Sequence, residues 1–163
     1  MPNGLWLGCL AALAFVVPVT SAFADALTDR GAYLAAIMDC GGCHTPGALA
    51  GDPDHERYLG GSDIGFMMPG LGIFYPPNIT PDATGLGAWT AEEIVRAVRE
   101  GVRPDGSPIV PIMPWPSYAA LTDEDAMALV AYLQSLPPVD HEVPAIVGPD
   151  GTAVAPYLAP VIP

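Results

Sequence analysis

The chain has 163 residues and sets 18 acidic side chains against five arginines and no lysine, for a formal net charge of −13. That balance excludes nucleic-acid binding, which needs a basic face to meet the phosphates. It leaves two ways of meeting a partner, electrostatic steering onto a basic surface or a mainly apolar contact, and acidity also serves solubility alone.

Residues 1–24 carry no Asp, Glu, Lys or Arg and contain the apolar run Leu10-Ala11-Ala12-Leu13-Ala14-Phe15-Val16-Val17, which reads as the core of a signal peptide. Pro18 interrupts the run, and Ala22-Phe23-Ala24 supplies a small-x-small cleavage site before charge begins at Asp25. A membrane anchor is the competing reading, but the run falls short of the ~20 residues that a spanning helix needs. The expected organisation is a leader at 1–24, one domain at 25–138 and a proline-rich extension at 139–163, exported to the periplasm with no transmembrane anchor in the mature chain. Cys9 goes with the leader, so two cysteines remain.

Thr28 is placed to cap a helix running to about Met38, with Tyr33, Leu34, Ile37 and Met38 at helical spacing. That helix delivers Cys40-Gly41-Gly42-Cys43-His44. Two thiols at this spacing reach the two vinyl groups on one edge of a porphyrin, and the histidine that follows lies beneath the iron, so the motif is the attachment signature of haem c. A thioredoxin-like dithiol would want a βαβ context, and a zinc site would want another Cys/His pair; neither is present, since His55 and His141 stand alone and read as exposed loop residues.

Gly47 to Gly87 is rich in Gly, Pro and Asp without sustained period, and reads as long loops packed on the haem in place of a side-chain core. Thr90-Ala91-Glu92-Glu93 is a capping box opening a helix that stops at Gly101, along which Arg96 and Arg99 are expected to pair with Glu92 and Glu100. Arg103-Pro104-Asp105-Gly106 turns the chain. Met113 follows in the proline-stiffened stretch Pro108 to Pro116, where a fixed loop can hold a weak thioether ligand to the iron; Met67 and Met68 are its rivals. A last helix begins at Leu121-Thr122-Asp123, with Ala126, Leu129, Val130 and Leu133 on one face, and ends before Pro137-Pro138. The tail from Val139 reads as an extended arm. No strand pattern emerges, so the fold class is all-α, with about three main helices.

Taken together, Arg30-Gly31-Ala32-Tyr33-Leu34, the Cys40 to His44 motif, Pro77-Asn78-Ile79-Thr80-Pro81-Asp82, Gly85-Leu86-Gly87-Ala88-Trp89-Thr90, Arg99-Glu100-Gly101-Val102-Arg103-Pro104-Asp105-Gly106 and Met113-Pro114-Trp115-Pro116 resemble the class I c-type cytochrome domains of bacterial alcohol, gluconate and aldehyde dehydrogenase cytochrome subunits. The resemblance runs from about Asp29 to Pro138. It implies a cytochrome c fold around one covalent haem, Met113 as sixth ligand, and close contact of the first and last helices at Gly31, filled by Tyr33, Leu34, Leu129 and Leu133. Asn78, Trp89, Arg103 and Trp115 are candidate donors to the haem propionates, with plain packing the other role for the two tryptophans. The function expected is one-electron transfer with no catalysis of its own, from a periplasmic dehydrogenase toward an oxidase or another cytochrome. Two alternatives stand beside a free shuttle: a tightly bound dehydrogenase subunit, and an open-site haem enzyme should Met113 not ligate.

Overall fold

A computed structural model describes residues 19–161; the leader expected at 1–24 lies mostly outside them. Helix α1 spans Val19–Ile37 and so begins well before Thr28, which sits inside it and caps nothing. The reason is local: Ala22 to Arg30 contains neither Gly nor Pro, and its alanines and leucine favour helix. Asp39, in the left-handed region at φ 55°, then turns the chain into the single-turn helix α2, Cys40–His44. Three more helices follow, α3 at Ala91–Glu100, α4 at Trp115–Tyr118 and α5 at Asp123–Ser135.

The expected all-α class needs correction. Strands β1 (Gly65–Met68) and β2 (Gly72–Phe74) form an antiparallel hairpin, with Phe66 opposite Phe74 and Met67 opposite Ile73. The tail adds β3 (Tyr157–Leu158), parallel to β1, in a sheet of order β2-β1-β3. Among the described residues there are thus five helices and a small sheet, joined by short 3-10 turns at Ala48–Ala50 and His55–Arg57. The tail is extended but not loose. Ile73 and Val147 exchange backbone hydrogen bonds of 2.8 and 3.0 Å, and the Tyr75 hydroxyl donates to the Ala155 carbonyl at 3.1 Å.

Packing centres on α1 against α5. Leu34, Ala35, Ala128, Leu129 and Leu133 are all buried, and each leucine removed from water contributes about 1.5–3 kcal/mol. Gly31 sets the closeness of the helices, because a Cβ there would stand 2.0 Å from the Ala128 carbonyl oxygen. Tyr33 does not fill this contact. It is 54% exposed, with the Arg30 guanidinium 5.3 Å from its ring centroid, since its position on α1 faces away from α5.

Helix α3 brings Ile94 and Val98 to the same core. It opens on the full capping box, Thr90 accepting from the Glu93 N–H while the Glu93 carboxylate accepts from the Thr90 N–H. Its arginines reach off the helix instead of along it. Arg99 pairs with Asp123 at 2.6 Å, tying α3 to α5, and Arg96 donates to the Arg103 carbonyl at 3.1 Å. Exposed Glu92 and Glu100 remain in water, where a pairing along the helix is worth only a few tenths of a kcal/mol.

Candidate functional site

Cys40 and Cys43 stand three residues apart in the single turn of α2, so both thiols leave the helix from one side. His44 closes the turn. Its Nδ1 lies 2.8 Å from the Pro77 carbonyl oxygen, which only accepts, so Nδ1 carries the proton and the lone pair is on Nε2. Burial pulls the imidazole below its ordinary pKa, an effect the Pro77 bond partly offsets, and the ring is therefore neutral at neutral pH.

The thiols shift the other way. Burial, with Asp39 and Cys43 nearby, pushes Cys40 up to about 11, and burial with Asp39 raises Cys43. A dithiol redox centre needs lowered thiol pKa values, so the local electrostatics run against that chemistry.

The segment behind His44 is held at several points. The Gly61 N–H donates to the His44 carbonyl at 2.7 Å. Buried Thr45 accepts the Leu59 N–H at 3.2 Å, and the Leu59 carbonyl accepts the Ile79 N–H at 3.0 Å. Leu59 is fully buried at φ 61°, a conformation that a leucine keeps only when its surroundings dictate it.

Met113 is half-buried and packs on the hydrophobic core formed by Ala35, Leu59, Ile94 and Leu129, the same core that Cys40 touches. Its loop is fixed by the Trp115 N–H donating to the Met113 carbonyl at 2.7 Å and the Met113 N–H donating to Val110. Met67 and Met68 lie in β1, paired with Ile73 and Gly72, and neither is among the side chains packed on that core.

The four residues expected near the propionates fall into different settings. Asn78 is buried and fully engaged within the chain: both amide hydrogens go to Thr84 Oγ1 (2.9 Å) and the Val139 carbonyl (2.7 Å), while its oxygen accepts from the N–H and hydroxyl of Thr80. The Trp115 indole N–H is used on the Ile109 carbonyl at 3.0 Å, and its ring covers Gly101, where a Cβ would sit 2.5 Å from the indole. Trp89 packs on the core. Arg103 donates from Nη1 to the Pro108 carbonyl at 2.7 Å and to Ser107.

Helical spacing does not anticipate the setting of Arg96. Its Nε is buried with no hydrogen-bond partner among the described residues. Arg30, Arg57 and Arg99 each pair with an aspartate, whereas Arg96 and Arg103, which touch each other through the Arg103 carbonyl, have no carboxylate partner there. His141 also departs from expectation. While His55 is exposed, His141 has only 13% of its side chain exposed, with Nδ1 2.7 Å from the Gly60 carbonyl and Nε2 3.1 Å from Asp63. The donor set fits haem c: two same-sided thiols, a neutral imidazole fixed at Nδ1, and a thioether on the core that Cys40 touches.

Comparison with known proteins agrees with this chemistry. The family model described as cytochrome C oxidase, cbb3-type, subunit III matches residues 26–133. The chain is 43% identical over 127 residues to the alcohol dehydrogenase (quinone) cytochrome c subunit of Gluconacetobacter polyoxogenes, covering 77% of this chain and 24% of that one. It is 40% identical over 124 residues to the gluconate 2-dehydrogenase cytochrome c subunit of Pantoea cypripedii, covering 76% and 26%. It is 42% identical over 118 residues to the fructose dehydrogenase cytochrome subunit of Gluconobacter japonicus, covering 71% and 23%. The chain therefore spans about a quarter of the length of these relatives, and no helix among the described residues is long and apolar enough to cross a membrane. By its motif, its site and these matches, the chain belongs to the c-type cytochrome family of the cbb3-type subunit III model, electron carriers that hold haem c covalently and are not themselves catalytic enzymes.

Proposed function

We propose that this chain is a periplasmic monohaem electron carrier that takes single electrons from a dehydrogenase and passes them to an oxidase or another cytochrome. The observation that carries the reading is the His44 ring, anchored at Nδ1 by the Pro77 carbonyl beside two same-sided thiols. Cys40 and Cys43 would hold the haem, His44 Nε2 and Met113 Sδ would ligate its iron, and Arg103 and Arg96 would serve as counter-charges for its propionates. Bound there, the haem supplies a reversible one-electron iron couple, with the thioether ligand raising its potential. With His44 and Met113 both ligating, the iron would have no position left for a substrate, which is why the chain is read as a carrier. Asn78 and Trp115 act through the loops they fasten, and Trp89 by packing. Residues 1–24 serve as the export leader.

The direct test is covalent attachment. Denatured protein should keep its haem on a gel and give the pyridine haemochrome of two thioether links, and Cys40→Ala or Cys43→Ala should abolish doubly linked holoprotein. Normal maturation of both variants would refute the assignment.

The relatives' names favour a second arrangement, in which the carrier is a permanent subunit of a dehydrogenase. Size exclusion of native extract separates the two: co-elution with dehydrogenase activity supports the subunit, and elution at the size of the lone chain supports the shuttle.

A further inference from the structure

The family match ends at residue 133 and the last helix at Ser135, yet the chain continues, and its next stretch returns to the histidine. His44 is fastened twice, through Nδ1 to the Pro77 carbonyl and through its own carbonyl to the Gly61 N–H. Residues 139–143 lie behind both fastenings. Next to Pro77, the Asn78 amide donates to the Val139 carbonyl at 2.7 Å, and the Val139 N–H donates to Thr80 Oγ1 at 3.1 Å. Next to Gly61, the His141 ring contacts the Gly60 carbonyl at 2.7 Å.

Steric closeness repeats the pattern. A Cβ on Gly60 would stand 2.7 Å from Val139 Cγ1, and one on Gly61 would stand 2.4 Å from Val143 Cγ1 and 2.8 Å from the Asn78 backbone nitrogen. The Gly60–Gly61 segment is thus pressed between the tail and the Pro77–Asn78 segment. The rest of the tail goes elsewhere: strand β3 meets β1 of the hairpin, and the Ala155 carbonyl meets Tyr75, just past β2.

We infer that residues 139–143 are a brace for the proximal ligand, with His141 as a positioning residue that holds the Gly60–Gly61 and Pro77 segments at hydrogen-bonding distance from His44. Asp63 Oδ1 stands 3.1 Å from the far ring nitrogen of His141, and because Gly60 and Asp63 offer only acceptors the ring is held from both sides when both its nitrogens carry protons. The brace acts on the imidazole by limiting how often the Nδ1–H···O bond to Pro77 opens. The inference rests on the reading of His44 as an iron ligand.

The test follows that proton directly. In full-length, haem-loaded ferrous protein, which is diamagnetic, the His44 Nδ1–H is observed by NMR and its exchange with deuterated solvent is timed. His141→Ala should accelerate exchange about fivefold to tenfold, the change expected when one hydrogen bond supporting the closed state is lost. Tyr75→Phe loosens the distal tail alone and should leave the rate unchanged even if unfolding midpoints fall equally. Should His141→Ala fail to fold, Asp63→Ala, at an exposed position, should still accelerate exchange, by less. Unchanged exchange in a folded His141→Ala or Asp63→Ala variant overturns the brace, as does equal acceleration in Tyr75→Phe. If the unaltered holoprotein shows no His44 ring resonance shifted by the haem, the ligand assignment itself falls first.

Discussion

At the scale of single residues, the proposed sixth ligand is read from which of the three loop and hairpin candidates, Met67, Met68 and Met113, packs on the core that Cys40 touches. Met113 does, in a loop whose prolines fix φ and whose neighbours bond its backbone on both sides, whereas Met67 and Met68 are committed to a hairpin. A thioether bound to ferric iron absorbs weakly in the far red, and the band is lost when the sulfur leaves. Met113→Ala should therefore remove the band and lower the reduction potential, and Met68→Ala should change neither; the reverse pattern in optical titration would move the ligand role to Met68. The residues legible in the sequence are those whose partners are adjacent in it, as in Cys40-Gly41-Gly42-Cys43-His44 and the Thr90/Glu93 box. The settings of Asn78 and His141 are not legible, because their partners Val139 and Gly60 lie some 60 to 80 positions away. Helical spacing points Arg96 at Glu92 and Glu100, and nothing local signals that it turns to the Arg103 carbonyl instead.

Among the elements, the α1–α5 contact decides whether the site has a platform, and Gly31 sets its spacing. An added methyl group there meets the Ala128 carbonyl at 2.0 Å and Tyr132 Cβ at 2.5 Å, both parts of α5 that cannot swing aside. Gly31→Ala should cost about 3 kcal/mol, the upper end for overpacking, despite alanine's better helix propensity; a denaturant midpoint equal to that of the unaltered protein would show that the helices separate without loss. The helices at Thr90 and Leu121 are readable because cap and period coincide there. The hairpin is not. Its strands of four and three residues are too short for alternation to register, although Pro69-Gly70 between Phe66-Met67-Met68 and Ile73-Phe74 is a turn signal between apolar runs. The tail strand has no pattern of its own and forms because β1 presents an edge for it to pair with.

For the whole molecule, charge decides how a partner is met. Three of the five arginines are paired with aspartates and the other two lie against each other, so the charges left unpaired are almost all acidic. Asp123, with 94% of its side chain exposed although it pairs with Arg99, and Glu124 open α5 some ten residues after Met113 in the sequence. An apolar contact is also available, since Ile112 next to Met113 is 44% exposed. The two contributions separate by range: apolar contact acts only after the surfaces touch, while the summed field acts during approach. Raising salt from 0.1 M to 1 M shortens the Debye length from ~10 Å to ~3 Å and removes most of that field. Stopped-flow reduction by the donor dehydrogenase should slow about tenfold across this range, within the roughly 10- to 10³-fold that steering contributes to association. A rate that stays flat or rises would assign docking to the apolar patch around Ile112, because screening would then only relieve repulsion between two acidic proteins.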